Sequence, residues 1–550
     1  MKFNTMIKEQ SMTLNHEGAE AFRMSAEMEL YTAVVTASLS DKFYETANER
    51  IERIAELVGK CDARFVAQLA VYARKEMNLR SVPLLLVVEL AKRHSGDNLV
   101  SRTIEKVVLR ADEIMELLHC YQWRNSQNTN CTEASAQKKK LAKLSHQIQV
   151  GLQRAFNNFD EYQFAKYDRN NLEVKLRDAL FIVHPKAKDD AQQLLFDKIT
   201  NNTLETPYTW ETELSALGQQ EFKTDLKKEF AFAEKWEELI YSGRLGYMAL
   251  LRNLRNLLEC RVSREALTEV AHRLSDEREV KKSKQLPFRF LSAYRGIKKI
   301  GNRNTQVIFE ALEKASLATT KVVGNEEKLL LLEALEKAVL ATSQNIAGFD
   351  EQTRVLLACD VSESMYTPIS PKSTVKNFDI GLMLAMLLQN KCKNVICGIF
   401  GNEWKVVGLP SSDILSNVGK MYEREGEVGY STNGHKVIEY LNEHRIVMDK
   451  VMMFTDCQMW NSNDQIVTYW RISNGIDISK TIRKEWEKYK EIAPNAKLYL
   501  FDLNGYGTTP LDIVRDDVTL IAGWSDRIFE MLEAIEKGSS VLEEIKRIEI

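Results

Sequence analysis

At 550 residues the chain exceeds what one hydrophobic core supports, and about two to four domains are expected. It has 44% hydrophobic and 28% charged residues, an ordinary globular balance, and its 9 prolines favour helix over sandwich or barrel. The net charge of −3 excludes global attraction to a polyanion, so any nucleic-acid surface must be a local basic patch on a nearly neutral body.

The first residues, Met1-Lys2-Phe3-Asn4-Thr5-Met6, lack the apolar core of a signal peptide. The longest apolar run, residues 82–91, is interrupted by Glu89 and is too short to span a bilayer. The eight cysteines, at 61, 120, 131, 260, 359, 392, 397 and 457, form no CxxC pair, so neither zinc nor a disulfide framework is expected. A cytoplasmic protein without membrane association is the simplest expectation.

From about Met28 to Ala347 the hydrophobic pattern is helical. Residues 29–35 and 65–73 place apolar side chains at three-to-four spacing. Ser81-Val82-Pro83 reads as a helix start, with Ser81 as cap and Pro83 in the first turn. Residues 248–254 and 328–335 repeat the theme, with short polar joins and no convincing strands between. This pattern predicts an α-solenoid of antiparallel helix pairs, with a single irregular helical domain as the alternative.

Three features in this half carry positive charge. Residues 124–140 read as a polar loop ending in Lys138, Lys139 and Lys140. Lys166 and Arg169 lie one helical turn apart and would share a face, whereas His184 by itself reads as a structural histidine. Residues 281–303 hold eight basic and no acidic residues, among them Lys281, Lys282, Lys284, Arg289 and Arg295. Phe288, Phe290 and Tyr294 are interleaved there. Bases could stack on these rings and phosphates pair with the cations. Equally, the aromatics could form the buried stripe of a helix whose lysines face solvent.

Beyond about Asp350 short β-branched runs alternate with helical ones. Strands are predicted at 354–359, 394–400, 450–455, 497–502 and 518–522, and helices at 377–391, 434–444, 479–490 and 526–537. Such alternation predicts a doubly wound, mostly parallel sheet covered on both faces. Ligands bind such sheets at the carboxyl ends of the strands, where the strand order switches. Asp360-Val361-Ser362-Glu363-Ser364 follows the first strand, and Asp456 follows the third. Asp360, Ser362 and Ser364 offer hard oxygens at alternate positions, suited to Mg²⁺ or Ca²⁺ rather than zinc, with Mg²⁺ the expected ion. Thr432 adds a neutral oxygen from the loop 429–434. Alternatively, Ser362 and Ser364 cap the next segment and Asp360 satisfies backbone donors. No Walker P-loop, HExxH pair or GxSxG elbow accompanies the motif, so catalysis is not expected.

This C-terminal constellation resembles the von Willebrand factor A domain and its metal-ion-dependent adhesion site. The likeness implies Asp360, Ser362, Ser364 and Thr432 as metal ligands, with Asp456 binding directly or through water. Where that family often has Thr-Asp-Gly, this chain has Thr455-Asp456-Cys457.

The whole chain resembles the TROVE-domain family, which includes the Ro autoantigen and its bacterial relatives. The likeness rests on residues 249–254, on Leu286-Pro287-Phe288 and on residues 357–365, in the family's order. It implies a mainly α plus α/β protein. A HEAT-like α-solenoid ring over 1–349 would be closed by an A-type domain over 350–550. It further implies a noncatalytic protein that binds small Y-like noncoding RNA and the single-stranded ends of misfolded RNA. A 3′ exonuclease would be tethered through the RNA, and the protein would be a monomer. Lys166, Arg169 and His184 fall where the family has a Lys, an Arg and a His of its RNA-binding rim. The Lys166–Arg169 spacing is one residue shorter than the family's.

Overall fold

The computed structural model describes residues 11–37, 42, 44–127, 144–168, 172–300, 325–342, 352–370, 373–390, 392–408, 412–424, 426–459, 481–525 and 527–550. Two compact units emerge from the packing. One comprises Met1–Met24, Ser40–Thr46 and Thr209–Glu536; the other comprises Ser25–Leu39, Ala47–Tyr208 and Lys537–Ile550. The boundary expected at 349–350 lies outside the described residues.

The second unit is helical among its described residues. Helices Ala47–Lys60, Ala63–Lys75, Ser81–Arg93, Leu99–Val107, Asp112–Gln127 and His146–Phe156 follow in sequence, then Glu161–Tyr167, Leu176–Val183 and Asp190–Asn201. Local chemistry sets several starts: the side chains of Asp62, Ser145 and Asp160 accept N–H bonds from the first turns that follow them. Ser81 is no cap. It is the first residue of its helix, and its hydroxyl instead bonds the Glu116 carboxylate. The short helix Val541–Lys546 returns to this unit, where Gln68 Nε2 donates to the carbonyls of Lys546 and Ile548 at 2.6 and 3.0 Å.

Residues 124–127, read from sequence as the start of a loop, are helical. Helix Asp112–Gln127 continues through Arg124, which is buried against Glu89. Composition suggested a loop, but the ion pair inside the unit supplies the reason for helix. Lys138, Lys139 and Lys140 lie outside the described residues.

The first unit holds the strands. β1 (Met12–Leu14) and β2 (Glu20–Arg23) form a hairpin; β3 (Arg354–Asp360), β4 (Asn394–Phe400), β5 (Trp404–Val406), β6 (Lys450–Thr455), β7 (Lys497–Asp502), β8 (Thr508–Thr509) and β9 (Val518–Ala522) follow. The larger sheet runs β5-β4-β3-β6-β7-β9. All its neighbours are parallel except the edge strand β5. Residues 355–359 of β3 are buried without alternation, as a strand covered on both faces requires. Helices Asn377–Gln389, His435–Glu443, Ile482–Ile492 and Ile528–Glu536 supply cover near the predicted positions. β5, the helix Ile414–Tyr422 and the hairpin were not foreseen. They are short, and the hairpin forms a small antiparallel sheet only by pairing with the two-residue β8.

Preceding β3 in this unit are the helices Tyr247–Glu259, Arg264–Ser275, Glu277–Ser283, Pro287–Lys298 and Asn325–Thr342. The Glu336 carboxylate in the last of these accepts the N–H groups of Leu415 and Ser416 at 3.0 and 2.9 Å. That contact caps Ile414–Tyr422, whose own cap residue, Asp413, makes no capping bond with its side chain. No described helix is long and apolar enough to cross a membrane.

Candidate metal centre and nucleic-acid interface

After β3 the chain crosses to β4 on one side, and it later returns to β6 on the other. The carboxyl ends of β3 and β6 therefore flank the switch in strand order, where loops diverge and leave a crevice. In the register, Cys359 faces Phe454, which sets Asp360 beside Thr455. Thr455 Oγ1 donates to Asp360 Oδ2 at 2.6 Å, and Ser362 N–H donates to Oδ1 at 2.9 Å. Ser362 precedes the 3₁₀ turn Glu363–Tyr366 but makes no capping bond with its side chain. Its hydroxyl lies 3.4 Å from that of Ser364. Local capping thus explains part of Asp360's role and none of Ser362's.

The loop bearing Thr432 is held close. Glu363 N–H donates to Tyr430 O at 3.0 Å, and Asn433 N–H to Gly401 O at 3.0 Å. Gly401 permits this approach, because a Cβ there would sit 2.2 Å from Gly429 O. Asp360, Ser362, Ser364, Thr432 and Asp456 are all buried, and the three hydroxyl residues line a cavity of about 350 Å³. All five residues expected to hold a metal are brought to this crevice.

Two carboxylates buried together resist ionisation. Burial, then repulsion from Asp456, raises the Asp360 pKa; bonds from Ser362 and Thr455 offset this only in part. Burial likewise raises Asp456, against the opposing influence of Ser364, Gln458 and Asn504. Asp456 Oδ1 accepts the Gln458 N–H at 3.0 Å, but the buried Oδ2 has no donor in bonding geometry among the described residues. A cation would relieve both the repulsion and the orphaned oxygen. The donors are carboxylates and hydroxyls, which fit Mg²⁺. Among the described residues no group of three or more His, Cys, Asp and Glu is placed to hold a metal, so softer ligand sets have no counterpart here. Cys457 occupies a left-handed conformation, φ 62°, that favours glycine. The backbone shape is thus kept where the adhesion-type motif has glycine.

The residues expected to bind RNA are divided between the two units. Lys166 is exposed near the end of Glu161–Tyr167, its ammonium 5.7 Å from the rings of Tyr162 and Tyr167. His184 is exposed at the C-terminus of Leu176–Val183, with φ 50°. Gln153 Nε2 fixes that turn by donating to the carbonyls of Val183 and His184 at 3.1 Å. Both residues belong to the second unit, and Arg169 lies outside the described residues.

Lys281, Lys282, Lys284 and Arg289 are exposed in the first unit. Lys281 pairs with Glu277 at 2.5 Å. Phe288, Phe290 and Tyr294 are buried, so the rings form the helix's inner stripe rather than a stacking surface. Arg295 grips Asp379 with two 2.6 Å bonds and donates to Thr374 O at 2.9 Å. Its guanidinium ties Pro287–Lys298 to Asn377–Gln389. Other residues at the crevice escaped sequence reading. Asp502 ends β7 and accepts the N–H groups of Asn504 and Gly505 at 3.0 and 2.7 Å. Glu17 and Tyr44 line the cavity. Asp502 alone carried a signal, as a third acid at a parallel strand's carboxyl end.

Residues 200–347 match the family model described as the TROVE domain. That stretch is TROVE-like. The chain is 24% identical over 359 residues to Telomerase protein component 1 of Rattus norvegicus, and 24% identical over 354 residues to that of Mus musculus. Each match covers 50% of this chain, and the chain spans 13% of the length of these curated relatives. The fold is similar to the crystal structure of the Deinococcus radiodurans RO (RSR) protein, with TM-score 0.54 and 16% identity, over 94% of this chain and 100% of that one. That likeness establishes a mainly helical fold with an α/β sheet region. The TROVE stretch contains Lys281, Lys282, Lys284, Arg289 and Arg295; Lys166 and His184 precede it.

Proposed function

We propose that this protein is a noncatalytic RNA-binding protein acting in RNA quality control or processing. The TROVE match over residues 200–347 carries the proposal. The fold shared with the RO (RSR) protein supports it. Its ligands are small Y-like noncoding RNA and the single-stranded ends of misfolded RNA, and a 3′ exonuclease is tethered through the RNA. It acts as a cytoplasmic monomer. Exposed Lys166 and His184 meet the RNA, with Lys281, Lys282, Lys284 and Arg289 as further phosphate contacts.

Sequencing the RNA that co-purifies with the full chain tests the ligand class. The double variant Lys166→Ala/His184→Ala should lose roughly tenfold in affinity and lower the salt slope by about one. The variant should remain folded, because both side chains are exposed, with only a small loss in unfolding temperature from placing Ala at the left-handed position of His184. Unchanged binding in a filter assay would remove these residues from the interface.

The second reading concerns the crevice, and the orphaned Asp456 Oδ2 favours it. Asp360, Asp456, Ser362, Ser364 and Thr432 hold Mg²⁺, and an acidic partner binds there in the manner of an adhesion-type site. When bound, Mg²⁺ supplies an electropositive coordination position for an anion. At a concentration of about 100 times its Kd, the ion should stabilise the protein by about 2.7 kcal/mol. Asp360→Ala should abolish that gain, read as the Mg²⁺-dependent rise in calorimetric unfolding temperature. A rise that survives in the variant would place the ion elsewhere.

A further inference from the structure

The crevice contains a carboxylate from the far end of the chain. Glu17 lines the same 350 Å³ cavity as Ser362, Ser364 and Thr432, with Tyr44 beside it. The Tyr44 hydroxyl donates to the Glu17 carboxylate. Glu17 stands in the turn between β1 and β2, and that turn is rigidly made. Asn15 Oδ1 accepts the N–H groups of Glu17 and Ala19 at 3.0 and 2.9 Å, and Gly18 provides the required φ of 75°.

The turn is also fastened to the crevice. Buried Asn15 Nδ2 donates to Met459 O at 2.7 Å, and His16 N–H donates to Gln458 Oε1 at 2.9 Å. Gln458 in turn donates its backbone N–H to Asp456. The hairpin is therefore bonded to the loop that carries the second buried aspartate. His16 stacks on Tyr44, with ring centroids 5.2 Å apart and an interplanar angle of 13°. Lys42 anchors the strap bearing Tyr44, donating to Asn504 Oδ1 at 2.9 Å. All these residues belong to the first unit.

We propose that Glu17 is the chain's own anionic ligand at this cation site, occupying the position that an external acidic ligand would otherwise take. The proposal rests on the reading of the crevice as a divalent-ion site. An octahedral Mg²⁺ takes one more oxygen than Asp360, Asp456, Ser362, Ser364 and Thr432 supply singly. A sixth oxygen has to come from another group lining the cavity, and of the two glutamates there, Glu17 and Glu363, Glu17 is the one aimed by the Tyr44 hydroxyl and carried on the fastened turn. A partner's carboxylate then binds by exchange with Glu17, and the site favours ligands able to displace a tethered acid.

Mn²⁺ serves as the spectroscopic probe, titrated into the full chain and its Glu17→Gln variant, with ¹³C-labelled acetate as the competing carboxylate. The isosteric change should weaken Mn²⁺ binding by roughly tenfold. Coupling between Mn²⁺ and acetate carbon should be absent in the parent and appear in the variant. Tyr44→Phe, which keeps the charge and removes the bond that aims it, should let acetate in partway. If acetate coordinates equally in parent and variant, or in neither, while Mn²⁺ still binds at Asp360, Glu17 is not a ligand. If the parent binds no Mn²⁺, or Asp360→Ala binds it as well as the parent, the ion-site reading itself falls, and this inference with it.

Discussion

Raising salt from about 50 to about 200 mM should weaken binding of a structured RNA with a protruding single strand by roughly 100- to 1,000-fold. The chain as a whole is nearly neutral, at −3, and offers no long-range attraction to RNA. Affinity must come from exposed cations meeting phosphates one by one. Lys166, Lys281, Lys282, Lys284 and Arg289 are exposed, whereas Arg295 is committed to Asp379. About five phosphate contacts give a logarithmic slope of roughly −3.5 for single strands and −4.5 for duplex. Filter binding at several salt concentrations measures that slope. A slope near zero would mean that phosphate pairing by these residues does not drive binding.

Glu89→Ala should cost about 3–5 kcal/mol of the second unit's stability, the usual effect of removing one partner from a buried ion pair. Glu89 is 1% exposed and meets Arg124 Nε at 2.6 Å, Arg93 Nη1 at 2.7 Å and Lys92 Nζ at 3.3 Å. Arg124 is itself 5% exposed and also bonds the Glu52 carboxylate. Truncating Glu89 strands one side of a desolvated guanidinium. Amide hydrogen exchange in the helices Ser81–Arg93 and Asp112–Gln127 should accelerate accordingly; unchanged protection would show that Glu52 alone suffices.

The same cluster sets a pH dependence. Burial by itself would raise the Glu89 pKa, but the Arg124 bond and the neighbouring charges outweigh it and hold the carboxyl below its ordinary value of 4.5. The folded pKa is depressed, so the unfolded chain binds more protons in this range. The stabilisation is fully present above the unfolded pKa and is lost as pH falls through the folded value.

Much of the α/β region was legible because its signals are local. β4, β6, β7 and β9 occupy their predicted residues, and β3 extends the prediction by one residue to Asp360. A buried parallel strand needs an unbroken apolar run, and each of these runs is written in consecutive residues. The candidate ligands Asp360, Ser362 and Ser364 were legible for the same reason, as alternate positions leaving one strand. Helix was legible through most of the first 347 residues from its three-to-four spacing. The interleaved aromatics after Lys281 were ambiguous, since a stacking surface and a buried stripe share one pattern; burial decided for the stripe.

The sequence by itself determined most of the element types, the change from helical to alternating strand-helix pattern along the chain, and the chemistry of the oxygen ligands. Each depends on residues within one strand or a few helical turns. Only the tertiary structure decided which charges face one another. Arg124 lies 35 residues from Glu89, and Arg295 lies 84 from Asp379. His16 meets Gln458 across 442 residues, bringing Glu17 to the Asp360 crevice. A charged side chain advertises its charge in sequence but not its partner. Whether it faces RNA, an ion or a buried counter-charge is fixed by packing, because the desolvation cost and the matching partner exist only once distant segments have met.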